Sequence, residues 1–588
     1  MASYWQDHGQ ATVEMMMLDE NAATIAEREA LEVLGMLPNI EGMSVVELGA
    51  GIGRFTQYLA PKVAHLEAYD FMQNFIDKNR ELNGHHGNVE FGVADVTKLN
   101  LSQNRFDFIF SNWLFMYLDD SEVAGVFRKV LDWLRPDGYF FFRESCFHKS
   151  GSVARTDNPT RYRTPQQYNE LLLEAAAGKG CKFSLLYARP SRTYISYKQN
   201  RNQMCWLVQK VPAVADEVRR QRKSERLFSE ESIGKLEKIF GKSFLSNGGI
   251  SSTRELCDKL GVKSGERVLD VGCGLGDTSM YLVQEYGANV IGIDISAPMI
   301  SIALQRANQL SVPNVLFEVA DIETYALYEE SSFDVIYSRD VLQYVGAKDK
   351  VLAKYYKWLK PGGRLLISDY CVQSGESQEQ TGLDSFWSRR PHRLCTVEDF
   401  ASMLTQNRFA TLATEDITPW CQQITMMELD VLEKNKKLFV DEFGEKRFEL
   451  TKSNWRRRLA MCMNQELLWI LFSAIKLAVI EQAARPAATA AVRLANTQQM
   501  KPELSTSEVS PAATVAATTR SLYRWRTSPR SPHASITSLM LAVKPRPRQA
   551  NSSTRAATNA PLLATVSRLK VASDSTGWSA PKRQLARR

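Results

Sequence analysis

The chain has 588 residues, 44% hydrophobic and 10% aromatic side chains, and a formal net charge of +7, enough for three or four average domains with sizeable cores. Its nine cysteines are scattered without a C-x-x-C pair, which argues against a zinc site or a disulfide framework and leaves no metal expected. The basic surplus gathers after Pro486, where roughly 16 Lys/Arg face 3 acids, so the remainder offers no surplus for a phosphate backbone and no nucleic-acid partner is expected.

In chain order, Met1–His8 is polar and lacks the shape of a signal peptide. It contains Tyr4 and Trp5, and a helical stretch over 12–37 follows. That segment either caps a substrate pocket or serves as hydrophobic anchoring. Val45–Phe55 then reads VVELGAGIGRF: an apolar strand running through the acid Glu47 into Gly49, Gly51 and Gly53. Closely spaced glycines after an apolar run predict a tight turn into a helix. In a doubly wound α/β sheet this turn lies at the carboxyl end of the first strand, where ligands bind.

Further stations follow. Asp70 stands about 20 residues on and suits ribose hydroxyls, which fits NAD and S-adenosylmethionine alike. Asp95 with Val96 suits an adenine amine beside an apolar wall. Phe106–Ser111 reads as a strand, and Ser111–Tyr117 as the loop at the pocket mouth. Tyr139–Glu144 reads as a strand whose ending Arg143-Glu144 is expected as a charge pair at the ligand edge. Asn158–Arg163 is a turn rich in phosphate-capable groups, Arg being the planar partner for phosphate. Tyr194–Val211 reads as the last strands, and Ala213–Arg226 as a charged, solvated linker.

The stations then repeat in the same order. Val268–Thr278 reads VLDVGCGLGDT, carrying Asp270, Gly272 and Gly274; Asp294 ends the next apolar segment. Asp321-Ile322 matches Asp95-Val96. Phe333–Ser338 matches Phe106–Ser111, and Trp358–Gly363 matches Trp133–Gly138. A repeat of this length means two homologous domains. Each is expected to form its own mainly parallel sheet with an antiparallel final hairpin. Leu467–Ile480 is too short to span a bilayer, so no membrane partner is expected and the location is read as cytoplasmic. From about Arg485 the chain is rich in Ala, Ser, Thr, Arg and Pro, a composition read as a disordered tail. The expected division is 1–212, a linker 213–226, 227–484, and a tail 485–588.

The glycine turn, the spaced acids, the xDxIxS strand and the W-L-[KR]-P-x-G turn resemble class I S-adenosylmethionine-dependent methyltransferases. The first half's VVELGAGIGRFT, FIFSNWLFMYL, GYFFFRESCFH, NPTRYR and NQMCW are similar to plant-type phosphoethanolamine N-methyltransferases. So are the second half's FGxxFxSxGG opening, IYSRD and KWLKPGGxLLISDYC. The resemblance runs over roughly residues 3–475, with the tail outside it.

That resemblance implies two tandem Rossmann-like domains. It implies three methyl transfers from S-adenosylmethionine to phosphoethanolamine, through the mono- and dimethyl forms to phosphocholine, by a chain read as monomeric. The cofactor set it implies is Glu47, Gly49, Gly51, Gly53, Asp70, Asp95, Val96 and Asn112 in the first half. In the second it is Leu245, Ser246, Asp270, Gly272, Gly274, Asp294, Ile295, Asp321, Ile322 and Arg339. Substrate is assigned to Tyr162, Arg163, Tyr370, Arg390 and Arg458, and catalysis to Tyr4, Tyr117, Asp340 and Tyr344. The second half departs from the family at a Tyr/His catalytic pair, where Phe228 and Tyr344 stand, and at Leu236, Asp277, Thr278 and His392. The alternatives are another small-molecule methyltransferase of sterol or quinone type, or a degenerate second half acting as scaffold or regulator.

Overall fold

The computed structural model describes residues 5, 12–17, 19, 21–149, 159–213, 230–241, 247–324, 328–373 and 393–477. Residues 214–226 of the expected linker and the whole expected tail lie outside the described residues. So do Tyr4, Asn158, Phe228, Leu245, Ser246, Arg390 and His392.

The leading segment forms two helices, Val13–Met17 and Ala22–Leu34, rather than one. Asp19 accepts from the Asn21 backbone N–H at 2.9 Å, a local side-chain bond that competes with helix continuation. The first half then supplies β1 (Ser44–Leu48), β2 (His65–Asp70), β3 (Val89–Val93), β4 (Phe106–Asn112), β5 (Leu134–Ser145), β6 (Cys181–Pro190) and β7 (Gln203–Pro212). Their spatial order is β3-β2-β1-β4-β5-β7-β6. The first five run parallel, and β7 is antiparallel to both neighbours. Tyr194 falls not on a strand but in a helix, Arg192–Lys198, which Ser191 caps through its side chain.

The second half repeats the plan with β8 (Arg267–Val271), β9 (Asn289–Asp294), β10 (Val315–Ala320), β11 (Phe333–Arg339), β12 (Leu359–Val372), β13 (Phe409–Asp416) and β14 (Leu467–Lys476). The order is β10-β9-β8-β11-β12-β14-β13. Both halves are therefore doubly wound α/β units with the expected antiparallel ending. In each, the order reverses beside the first strand, which opens a crevice at the carboxyl ends of β1 and β4, or of β8 and β11.

The expectation of separate sheets is corrected. The fourteen strands form one continuous sheet, joined where β6 meets β10 antiparallel, Val319 opposite Ala188 and Ala320 opposite Tyr187. Both strands are outermost in their own half, and an outermost strand presents unpaired N–H and C=O groups that another strand satisfies. Arg201 closes the join. Its buried guanidinium donates to the carbonyls of Val312 at 2.6 Å and Val315 at 3.1 Å. The helix Pro165–Ala175 of the first half packs on Ala297–Gln309 of the second, within one apolar core that spans the join.

The run of phenylalanines on β5 shows why a central parallel strand has no polar face. Phe140 and Phe142 point into the layer holding Phe115, Phe127 and Trp206, with Phe142 stacked on Trp206 at 4.7 Å. Phe141 points the other way and stacks on Phe110 at 5.4 Å. Helices cover both faces, so both alternations are apolar. The helix before β5, Asp120–Trp133, starts at a capping box of Asp119 and Glu122.

Candidate functional site

The crevice of the first half holds a cavity of 170 Å³. Its lining brings together Trp5, Met16, Glu47, Gly49, Arg54, Asp70, Asp95, Val96, Asn112, Trp113 and Tyr117. These come from the leading segment, the ends of the first four strands and the loop after β4, although up to 112 positions separate them in sequence. Gly49, Gly51 and Gly53 all take positive φ, at 73°, 54° and 88°, a region L side chains avoid. A Cβ at Gly51 would stand 2.5 Å from Met16 Cε, and one at Gly53 2.2 Å from Asn79 Oδ1. The turn can close only with bare backbone at these points.

Asp70 ends β2 with its carboxylate accepting from the backbone N–H groups of Gly51 and Met72, both at 3.0 Å. The acid is thereby aimed across the glycine turn. Burial pushes its pKa up to about 6, against those backbone bonds. Glu47 accepts from Thr56 Oγ1 at 2.6 Å, and burial pushes it up to about 8. Asp95 accepts from Thr97 through backbone and hydroxyl. With Val96 beside it, this set fits a nucleoside: acids for ribose and an exocyclic amine, an apolar wall for the base, and bare backbone for a close approach.

The second half reproduces the arrangement atom for atom in part. Asp294 accepts from Gly274 N at 3.0 Å and Ser296 N at 2.8 Å, and Asp321 from Glu323 N at 3.0 Å. Asp270 accepts from Ser279 Oγ at 2.6 Å, as Glu47 does from Thr56. Gly272 and Gly274 have φ of 73° and 55°. Ile295 is exposed just past β9, and Ile322 is buried next to Asp321.

The loop after the fourth strand carries the same strained residue in both copies. Trp113 and Asp340 sit at φ of 56° and 57°, and each backbone N–H bonds to the neighbouring strand at 2.8 Å, at Arg143 O and Ser368 O. Non-glycine residues in this region gather at functional sites. What the copies place there differs. Asp340 is a half-buried carboxylate whose Oδ1 accepts from Trp469 Nε1 at 2.7 Å and Ser368 Oγ at 3.1 Å, and whose Oδ2 accepts from Asn247 Nδ2 at 2.8 Å. Burial raises its pKa, opposed by Arg339 and by those three bonds.

Asn247 also donates to the Tyr370 hydroxyl at 3.1 Å, and Tyr370 stacks on Trp469. Arg458 donates to Glu428 at 2.6 Å; burial works against its charge, and Glu428 and Tyr370 outweigh it. Arg339 binds Thr253, Ser252 and the Asn247 carbonyl, and so supports the turn beneath. Thus Asp340, Tyr370 and Arg458 converge, and Tyr344 lies in the same loop on the short helix Leu342–Tyr344. Asn247, Trp469 and Glu428 were not among the expected site residues. The one sequence signal was the Ser/Gly-rich turn that holds Asn247.

Three first-half expectations change. Arg143 and Glu144 are not a pair, because successive strand residues point to opposite faces. Glu144 accepts from the backbone N–H groups of Leu114, Phe115 and Met116 at 2.7–3.1 Å and so holds the loop. Arg143 pairs instead with Glu29 of the leading helix. Arg163 spends its guanidinium on Asp120 and the carbonyls of Phe115 and Leu118. Neither it nor Tyr162 lines the cavity. Tyr117 does, with Trp5 edge-on at 5.5 Å.

Two models described as methyltransferase domain match the chain, at residues 45–138 and 262–439. Phosphoethanolamine N-methyltransferase 1 of Arabidopsis thaliana is 41% identical over 481 residues, which is 81% of this chain and 97% of that protein. Phosphoethanolamine N-methyltransferase of Triticum aestivum is 41% identical over 480 residues, 80% of this chain and 94% of that protein. The fold is like that of Haemonchus contortus phosphoethanolamine N-methyltransferase 2, solved with phosphomonomethylethanolamine and S-adenosylhomocysteine. The TM-score is 0.60 at 22% identity, covering 77% of this chain and all of that one.

Proposed function

The chain belongs to the phosphoethanolamine N-methyltransferase family, and from that premise we propose how its two sites share the work. It is an S-adenosylmethionine-dependent enzyme that methylates the amine of phosphoethanolamine, a small-molecule substrate, with two methyltransferase domains. The proposal is that the first site commits phosphoethanolamine and the second carries the methylated intermediates to phosphocholine. The observation that carries it is the single position after the fourth strand, Trp113 in one half and Asp340 in the other, held in the same backbone conformation.

S-adenosylmethionine, when bound, supplies an electrophilic methyl on a sulfonium. The residues Asp70, Asp95 and Val96, and Asp294, Asp321 and Ile322, would hold its nucleoside. The substrate must then present a lone pair, so a proton has to leave an ammonium whose pKa is roughly 10. Asp340 would take or share that proton, its two oxygens fixed by Asn247, Ser368 and Trp469. Tyr370 and Arg458 would seat the phosphate, letting its binding energy position the amine. In the first site no carboxylate stands in the loop. Tyr117 would serve as the polar group beside the amine, with Trp5 and Trp113 as aromatic walls; a cation over such faces is favoured. Tyr344 and Asp340 together would replace the Tyr/His pair.

Operation as a cytoplasmic monomer is part of the proposal. All nine cysteines are free, as a reducing compartment keeps them. No helix among the described residues is long and apolar enough to cross a membrane.

The test uses two full-chain variants, Asp70→Ala and Asp294→Ala, assayed on phosphoethanolamine and on its monomethyl form. The proposal requires the Asp70 variant to lose the first methylation and the Asp294 variant to accumulate methylated intermediates. The reverse pattern would show the assignment to be backwards.

A further inference from the structure

Two thiols of the second half stand face to face beside the groups assigned to the phosphate. Cys421 lies in the first turn of the helix Thr418–Lys434, and Cys462 in the last turn of the helix Glu445–Met463, which packs on it. Both are buried. Their sulfurs are 3.9 Å apart, with Cys462 donating to Cys421. A disulfide holds its sulfurs at about 2 Å, so about 2 Å remains to be closed, at the start of one helix and the end of the other. Gln422 already ties these two helix ends, its Nε2 donating to the Cys462 carbonyl at 3.0 Å.

Cys421 Sγ also lies 3.5 Å from the Tyr370 hydroxyl, so a molecule the size of a peroxide at that hydroxyl has the thiol beside it. The thiolate is the attacking form of a cysteine. Cys421 is pulled down to about 7, first by the Cys462 S–H bonded to it and then by Arg458 and the Tyr370 hydroxyl, against its burial. Burial instead pushes the thiols of Cys146, Cys205, Cys257 and Cys273 up. Cys371 and Cys395 make a second bonded pair, which serves as the internal comparison. Arg458 precedes Cys462 by one helical turn on the same face, and its partner Glu428 follows Cys421 by two turns on the other helix. A bond between the sulfurs therefore clamps the two helices beside that ion pair and draws Cys421 off Tyr370.

We propose that Cys421 and Cys462 are a thiol modification site, which a hydroperoxide converts to a disulfide that shuts down turnover in the second half. The effect inferred for the bond rests on the assignment of Tyr370 and Arg458 to the phosphate. In the first step the Cys421 thiolate attacks a peroxide oxygen and the O–O bond breaks. One oxygen stays on Cys421 as a sulfenic acid; the other leaves as alkoxide or hydroxide and takes up the proton the thiol released. The Cys462 sulfur then attacks the Cys421 sulfur, the S–O bond breaks, and the departing hydroxide leaves as water with the Cys462 proton. Two thiols lose two electrons and one hydroperoxide gains them. In a reducing compartment such a bond is transient, and dithiols reverse it.

The experiment treats the full chain carrying Asp70→Ala, with and without Cys462→Ala, with hydrogen peroxide and then with dithiothreitol. Peptide mapping without reduction locates any disulfide, and turnover of the monomethyl substrate gives kcat and KM. The expected result is a Cys421–Cys462 linked peptide and a KM raised ~10-fold or more, the worth of a charge-assisted bond. Dithiothreitol should restore both, which methionine oxidation would not allow. The Cys462→Ala chain should turn over like its parent when reduced and keep its KM within twofold after peroxide; Cys462→Ser replaces it if it does not fold. Absence of the linked peptide overturns the proposal, as does a linkage of Cys371 to Cys395 in its place. So does a linked chain with kcat and KM within twofold of the reduced one, or a Cys462→Ala chain that loses turnover reversibly to the same extent as its parent. A reversible ~10-fold fall in kcat with KM unmoved supports the modification and counts instead against Tyr370 and Arg458 as the phosphate groups. If the reduced parent does not methylate the monomethyl substrate, the functional reading fails, and the peptide map, which needs no turnover, decides the modification site.

Discussion

Replacing Asp340 by asparagine removes one charge from the second site and almost nothing else. The amide oxygen can stay where Oδ1 now accepts from Trp469 and Ser368. The amide nitrogen then faces Asn247, which now donates both to Asp340 and to the Tyr370 hydroxyl. Turning the Asn247 side chain over presents its oxygen to both, and the Tyr370 O–H becomes the donor. The two Asn247 bonds are kept with their direction reversed, and the two at Oδ1 are unchanged. The half-buried carboxylate, whose charge desolvation already disfavours, is gone, so stability should move by no more than about 1 kcal/mol. The rate should not be spared. A positioned proton acceptor contributes ~100- to 10,000-fold, or about 2.7–5.4 kcal/mol of barrier. The assay is turnover of the monomethyl substrate by the full chain carrying Asp70→Ala, with and without Asp340→Asn. In the parent the rate should climb with pH as a carboxyl raised above its ordinary range ionises, and that limb should vanish in the variant. A variant with kcat within twofold of its parent, and the same pH profile, would refute Asp340 as the proton acceptor.

Glu47 and Arg201 give two further expectations. Glu47 has a folded-state pKa near 8 against an ordinary value of 4.5, so the folded state holds a proton that the unfolded chain releases between those values. Its contribution is full below pH 4.5 and falls as pH rises to 8, by on the order of a few kcal/mol. Urea unfolding of the ligand-free Glu47→Gln chain at pH 5 and pH 8 should show a shallower loss than wild type, and an unchanged slope would remove Glu47 as its source. Arg201→Met should cost about 2–3 kcal/mol, because two buried carbonyls lose their charged donor; a change below 0.5 kcal/mol in equilibrium unfolding, on the scale of an ordinary surface substitution, would mean that the guanidinium does not secure the join.

Much of each half was legible because its signals are local. The apolar runs of β1 and β8, the glycines after them and the acids that end β2 and β9 each follow from short-range rules of strand, turn and helix start. The structure places Glu47, Asp70, Asp95, Asn112 and Tyr117 around one cavity. What escaped was set by distance in the chain. Asn247 meets Asp340 across 93 positions, and no rule of sequence joins them. Arg143 looked paired with its neighbour Glu144, but strand alternation turned the two apart, and the partner is Glu29. Arg163 read as a phosphate ligand from its residue type, yet the carbonyls of the loop it clasps claim its donors. The meeting of β6 with β10 has no local mark, since each reads as an ordinary outer strand.

That meeting changes what melting experiments can report. Tandem domains tied only by a linker unfold in separate steps, and a ligand raises the midpoint of the one that binds it. Here the backbone ladder and an apolar core run across both halves, so losing either exposes buried surface of the other. The body should melt in a single cooperative step. A nucleoside bound at one site then protects residues at the far end of the sheet, by RT ln(1 + [L]/Kd) for the whole body. A thermal shift would count occupied sites without saying which crevice is filled.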